Sequence, residues 1–117
     1  ETMVDAIKRR DALCAPDAAV DYAFHVAVKD VSNGLIDTIE DAVNYGVSSF
    51  KVFMVYDFGV TDGVFYKVLE KAKSCGAMIS VHAENKQLID VLTERYLSEG
   101  KTSASLYEPS GICRGRG

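Results

Sequence analysis

The stretches that decide the fold of this chain are SFKVFMVY at residues 49–56 and AMISVH at residues 77–82. Each is a short apolar run that carries one basic side chain, Lys51 in the first and His82 in the second. Successive side chains of a strand point to opposite faces of its sheet. The alternation therefore predicts that Phe50 faces packed helices, while Lys51 and His82 lie together on the other face.

Outward from these strands, the chain repeats a βα unit. Gly46 and Gly76 each stand before a strand and are 30 residues apart. Helical spacing of apolar residues predicts helices over residues 2–14, 35–45, 61–75 and 88–99, and a further strand is predicted over residues 19–28. Repeated βα units form a parallel sheet, in which ligand sites lie at the carboxyl ends of the strands. The sequence predicts such a site beside Lys51, Tyr56 and His82.

Composition excludes several classes of function. The 117 residues make one domain or a piece of one, 48% of them are hydrophobic, and the net charge is −4. The chain lacks a basic run interleaved with aromatics, so a nucleic-acid partner is not expected. It also lacks an apolar run of about 20 residues, so no membrane partner is expected. Three scattered cysteines, Cys14, Cys75 and Cys113, favour packing roles in a reducing compartment and predict a cytoplasmic protein.

The residue types on the predicted open face suit metal chemistry. A desolvated lysine loses its proton readily, and the neutral amine can then add carbon dioxide to form a carbamate. The carbamate of Lys51 could bridge two divalent metals, with the imidazole of His82 as a further ligand. Tyr56, just past the strand, could donate a hydrogen bond to a developing oxyanion. A snorkelling lysine, a satisfied strand-end histidine and a half-buried loop tyrosine fit the same spacing.

His25 is the other histidine of the chain. A place in the core, or a role in supporting ligands, is expected for it in preference to a place among the ligands. If the strand registers are as predicted, the open face exposes Phe24, Phe53 and Met78, and such a surface drives association.

Three motifs in order carry a family resemblance: DYAFH at residues 21–25, SFKVFMVY at residues 49–56 and VHAEN at residues 81–85. Together they resemble dihydropyrimidinases and hydantoinases, cyclic amidases of the amidohydrolase superfamily, over residues 19–102. The resemblance implies that Lys51 is carboxylated and bridges two metal ions, usually zinc, and that His82 binds one of them. It also implies that Tyr56 stabilises the tetrahedral intermediate, and it gives His25 no ligand role.

The implied fold is α/β: parallel βα units over residues 1–101 that form part of a (β/α)₈ metal-dependent hydrolase barrel. The implied parent is a homotetrameric enzyme that opens a dihydropyrimidine or hydantoin ring. The His-X-His, later histidine and aspartate of the family pattern are not in this chain, so the chain by itself is expected to be inactive. Three alternatives are an allantoinase-like amidase, a non-catalytic dihydropyrimidinase-related assembly protein, against which Lys51 argues, and an unrelated α/β interaction domain.

Residues 102–117 lack the hydrophobic periodicity of the rest of the chain, which ends at Thr102. An irregular tail is therefore predicted for this segment. Codons can be chosen for residues 107–117 that, read one base later, give TSRPEFVEAE, which is similar to the continuation of the family. We therefore hypothesise a frameshift, and expect the chain to be a truncated or partial product.

Overall fold

Parallel strands and helices alternate along the chain. The computed structural model describes residues 1–29 and 34–103. Within them the elements are α1 (Met3–Cys14), β1 (Val26–Val28), α2 (Thr38–Tyr45), β2 (Ser49–Phe53), α3 (Asp62–Cys75), β3 (Met78–His82) and α4 (Lys86–Ser98). The strands form one sheet in the order β1-β2-β3, and both pairings are parallel. The predicted parallel sheet of consecutive βα units is confirmed.

Local sequence sets the helix ends. At the start of α1, the Asp5 backbone N–H donates to the Thr2 hydroxyl (3.1 Å) and the Thr2 N–H donates to the Asp5 carboxylate (3.2 Å), a capping box. Gly46 and Gly76 end α2 and α3 with φ of 114° and 72°, in the left-handed region that favours glycine. Thr61 precedes α3 as predicted, but its side chain makes no capping hydrogen bond.

The core lies on one face of the sheet. Val28, Phe50 and Val52 are fully buried there, so the predicted alternation along β2 is confirmed. Helices α1, α2 and α3 cover this face. The remaining buried members of the cluster are apolar residues from these helices and the loop before α3: Met3, Ile7, Ile39, Ala42, Val60 and Val68.

The first strand is much shorter than the predicted residues 19–28, because only Val26–Val28 pairs with β2. Strand β2 begins at Ser49, and its register sets Phe50 opposite Val26. Residues before 25 therefore have no neighbouring strand with which to form a ladder. Phe24 was predicted for the open face, and this is wrong, since it packs against the core in phase with Val26.

Two other boundaries differ from the prediction. β2 ends at Phe53 rather than continuing to Tyr56, because the chain folds back and the Val60 N–H donates to the Phe53 carbonyl (2.8 Å). The helix predicted over residues 35–45 begins at Thr38. Leu35 belongs instead to the preceding turn, where its carbonyl accepts hydrogen bonds from the backbone N–H (3.1 Å) and hydroxyl (2.7 Å) of Thr38.

The carboxyl-terminal unit is the least covered part of the sheet. β3 is an edge strand, and Val81 is 37% exposed although it shares the helix-covered face with Ile79. α4 has no buried residue, and Val91 and Leu97 are 52% and 60% exposed. The predicted tail lies outside the described residues from position 104 onward. Across the parts that are described, no helix combines the length and apolarity needed to cross a membrane.

Candidate metal centre

Lys51 lies at the middle of the open face, on the central strand. The register sets it opposite Ala27 of β1 on one side and Ser80 of β3 on the other. Both neighbours are small, so they leave space around the long lysine side chain. The Lys51 ammonium lies over the Phe53 ring, 5.4 Å from its centroid. A head group larger than an amine could therefore be built onto this lysine without displacing a cross-strand neighbour.

His82 shares this face with Lys51, as predicted, but does not lie directly opposite it. Its register partner is Phe53, two residues further along β2. With ordinary strand spacing and rise, the two Cα atoms are about 8 Å apart on the diagonal. The lysine is long enough for its head group and the imidazole to converge at the carboxyl ends of the strands.

Two aromatic rings flank the His82 imidazole. Its centroid is 5.8 Å from the Tyr56 ring and 6.1 Å from the Phe53 ring. Nε2 of the imidazole is buried without a hydrogen bond, and the carboxylate of Glu84 lies 3.3 Å from it. That separation is within ion-pair range, but the angle does not make a hydrogen bond. Within residues 1–29 and 34–103, Nδ1 makes no hydrogen bond, and it is not among the buried polar atoms, so it is the nitrogen that a ligand can reach.

Tyr56 lies in the tight loop after β2 and has an unusual backbone. Its φ is 71°, in the left-handed region that bulky residues rarely adopt. The loop is closed by a hydrogen bond from the Gly59 N–H to the Tyr56 carbonyl (3.1 Å). A Cβ at Gly59 would lie 2.6 Å from the Val55 carbonyl oxygen, so the loop requires glycine there. Local strain of this kind concentrates at functional sites, and here it holds the tyrosine ring beside His82.

His25 is also on the open face, at its lower end. It is exposed, and its Nδ1 is hydrogen bonded to the Ser49 hydroxyl (2.6 Å). The expectation of a core position is therefore wrong, because Phe24 and Val26 occupy the covered face and alternation directs His25 away from it.

Sequence reasoning missed a cleft of about 780 Å³ between the loops that follow β2 and β3. Tyr56 lines one side, and Glu84, Asn85 and Lys86 line another. Lys51 and His82 do not reach it, so the cleft is separate from the open face except at Tyr56. The sequence reasoning also missed Glu84, although VHAEN at residues 81–85 places it two residues after the histidine.

The donor set fits part of a metal centre. Lys51 has lateral space and His82 presents a free Nδ1 on the same face. Within residues 1–29 and 34–103, no group of three or more His, Cys, Asp or Glu side chains is placed to hold a metal ion. A two-metal centre would therefore need ligands from outside the described residues.

Comparison with known proteins gives consistent matches over most of the chain. It is 35% identical over 104 residues to the D-hydantoinase of Ralstonia pickettii, covering 87% of this chain and 23% of that protein. It is 39% identical over 88 residues to the D-hydantoinase of Geobacillus stearothermophilus, covering 73% and 19%. The crystal structure of dihydropyrimidinase from Brevibacillus agri matches 96% of this chain with a TM-score of 0.85 and 34% identity, over 25% of its own length. No protein-family model matches.

Parallel βα units with one helix-covered face and one open face that carries Lys51 and His82 define a segment of an amidohydrolase-type (β/α)₈ barrel. The matches give the particular family: the chain corresponds to a segment of the hydantoinases and dihydropyrimidinases. It spans about a quarter or less of the length of these relatives.

Proposed function

We propose that this chain contributes part of the active site of a metal-dependent cyclic amidase, which opens a dihydropyrimidine or hydantoin ring by hydrolysis of a C–N bond. The observation that carries the proposal is the 35% identity to a D-hydantoinase over 87% of the chain. The placement of Lys51 and His82 on the open face, with the Tyr56 ring beside His82, supports it.

In this proposal Lys51, as its carbamate, and His82, through Nδ1, are the residues of this chain that would hold divalent metal ions, zinc among them. A pair of bound divalent metals activates water near neutral pH and polarises a carbonyl group. The phenolic O–H of Tyr56 would donate a hydrogen bond to the oxyanion that develops at the carbonyl oxygen. The small side chains of Ala27 and Ser80 leave room for the carbamate. The rings of Phe53 and Tyr56 limit the orientations that the imidazole can take.

The chain would act only with the rest of a barrel. Two metal ligands are fewer than a two-metal centre needs, and the family's remaining ligands are not in the sequence. We therefore expect the 117-residue chain alone to lack cyclic amidase activity. The parent would be a tetramer that takes a small cyclic amide as substrate.

A hybrid barrel provides the test. Residues 19–102 of this chain replace the matching segment of the Geobacillus stearothermophilus D-hydantoinase, and bound metal and hydantoin hydrolysis are measured. The hybrid should bind two metal ions per subunit and hydrolyse the ring. Lys51→Ala in the hybrid should abolish metal binding and turnover, and short carboxylic acids should restore part of both by replacing the carbamate.

The matched control is Lys67→Ala, which removes an exposed lysine from α3. This variant should keep both metal content and rate. Full metal content in the Lys51→Ala hybrid would overturn the assignment of Lys51 as the bridging ligand. A hybrid that folds and binds metal but leaves both hydantoin and dihydrouracil intact would overturn the proposed reaction.

A further inference from the structure

The two nitrogens of the His82 ring lie in different surroundings. Nε2 is buried and makes no hydrogen bond, whereas Nδ1 is not among the buried atoms. Among the residues that the structure describes, Nε2 is the sole buried side-chain nitrogen or oxygen without a hydrogen-bond partner. Buried polar atoms are nearly always satisfied, so this exception calls for a partner within reach.

Glu84 is the group within reach. Its Oε2 lies 3.3 Å from Nε2 of His82, and its side chain is 19% exposed. Within residues 1–29 and 34–103, Glu84 forms no ion pair with a lysine or arginine. A largely buried carboxylate that lacks such a partner needs a hydrogen-bond donor. An N–H at Nε2 would satisfy both groups after a small rotation of the carboxylate.

The position of Glu84 is fixed from both sides. His82 is the last residue of β3, and the Asn85 side chain accepts a hydrogen bond from the Leu88 N–H (3.0 Å) at the start of α4. The three-residue loop between strand and helix therefore has little freedom. It holds the Glu84 carboxylate beside Nε2 of the imidazole.

We propose that Glu84 is a positioning residue, whose carboxylate accepts a hydrogen bond from Nε2–H of His82 and so keeps Nδ1 unprotonated and directed at the open face. The link to metal rests on the proposed function. Histidines that bind metals commonly donate their other N–H to a carboxylate, which fixes the tautomer and the ring orientation. Glu84 would act in this way without touching metal or substrate itself.

Glu84 also lies just before α4, where a carboxylate interacts favourably with the positive end of the helix dipole. That role would affect the stability of α4 and leave the tautomer of His82 unchanged. Measurement of the His82 tautomer therefore distinguishes a role in stabilising α4 from a role in positioning the imidazole.

The test is ¹⁵N NMR of the metal-free 117-residue chain, labelled at histidine, at a pH where both imidazoles are neutral. The chain contains two histidines, and a His25→Gln variant assigns their signals.

His82 should be protonated at Nε2, with a slowly exchanging proton. Glu84→Leu should give a mixture of tautomers and fast exchange of that proton. Glu84→Gln keeps an acceptor oxygen and should preserve the Nε2–H form. If the chain associates, solid-state spectra of the same sample give the same shifts.

A His82 that carries its proton on Nδ1, or whose tautomer and proton exchange are the same in Glu84→Leu as in the unchanged chain, would overturn the proposal. The hybrid barrel supplies a second measurement, in which Glu84→Leu should weaken zinc binding by about 10- to 100-fold. Unchanged zinc affinity there would also count against Glu84. Loss of hydrolysis with the tautomer intact would instead count against the proposed function.

Discussion

The two faces of the same three strands differ in almost every respect. On the covered face, Phe50 and Val52 have no exposed surface, and helices α1 to α3 pack over them. On the open face, Lys51, which follows Phe50 in β2, is partly exposed. Met78 of β3 lies on the same face and is 60% exposed. Alternation along a strand therefore places the residues that stabilise the segment on one face. The residues that only a closed barrel would bury lie on the other face.

The contrast explains how three strands of a barrel can have an ordered core. The covered face is completed by helices that are local in sequence, so its burial needs no distant part of the chain. A barrel's inner face is buried only when all the strands close around it. The residues proposed for chemistry belong to this second face, and their function is expected to depend on closure.

The largest expected effect is on stability, from substitution of two phenylalanines of β2 that lie on opposite faces of the sheet. Phe50→Ala should lower the free energy of unfolding by about 3–5 kcal/mol, because it leaves a cavity in the fully buried cluster. Phe53→Ala, on the open face, should cost about 1 kcal/mol or less. Urea unfolding of the two variants measures the difference. Equal losses would mean that the two faces do not differ in their contribution to folding.

The next effect concerns catalysis in the hybrid barrel. Tyr56→Phe should leave the metal content unchanged and lower kcat by about 10²–10³, because the variant lacks one donor to the oxyanion. Phe58→Leu is the matched control, since Phe58 stacks on Tyr56 (5.4 Å between centroids) without a polar group. If Tyr56→Phe and the unchanged hybrid have the same kcat, Tyr56 does not act as an oxyanion donor and serves only in packing.

A smaller effect should appear in the association of the chain itself. β1 and β3 are both edge strands, and unpaired backbone edges beside an apolar surface promote self-association. Sedimentation of the purified chain should therefore show oligomers, which Met78→Lys on the open face should reduce. Leu13→Lys, at a 63% exposed position of α1, should leave the distribution as it was. If the chain is monomeric at all concentrations, the open face and the strand edges do not cause self-association.

The smallest effect is a titration on the helix side. The Tyr22 hydroxyl donates a hydrogen bond to the Asp11 carboxylate (2.6 Å), and this bond raises the pKa of Tyr22 to about 12. Because the folded pKa lies above the usual value of 10, this bond contributes stability below pH 10 and loses it as the pH rises toward about 12. Absorbance of tyrosinate, with Tyr22→Phe to identify the signal, measures the pKa. Asp11→Asn should lower it, and an unchanged pKa would exclude the bond in solution.

Much of the fold could be predicted from local patterns. Period-two alternation placed Phe50 and Lys51 on opposite faces, and glycines marked the ends of α2 and α3. The length of β1 could not be predicted in this way, because pairing depends on where the neighbouring strand begins. Residues 19–24 have the composition of a strand but no neighbouring strand beside them.

The site was predicted less completely. The shared face of Lys51 and His82 followed from alternation, but the offset between them depends on the register, which no local pattern encodes. The left-handed backbone of Tyr56 and the contact between Glu84 and His82 arise from how the loops fold back onto the sheet. The zinc ions, the carbamate and the cytoplasmic location stay predictions.

The backbone of Tyr56 has a consequence for the history of such chains. Glycine or asparagine would adopt a φ of 71° at lower cost than tyrosine does. Folding and the proposed chemistry therefore favour different residues at this one position. In a lineage that no longer hydrolysed rings, selection for stability alone would replace the tyrosine. The residue found at position 56 would then distinguish descendants that kept the reaction from those that kept only the barrel.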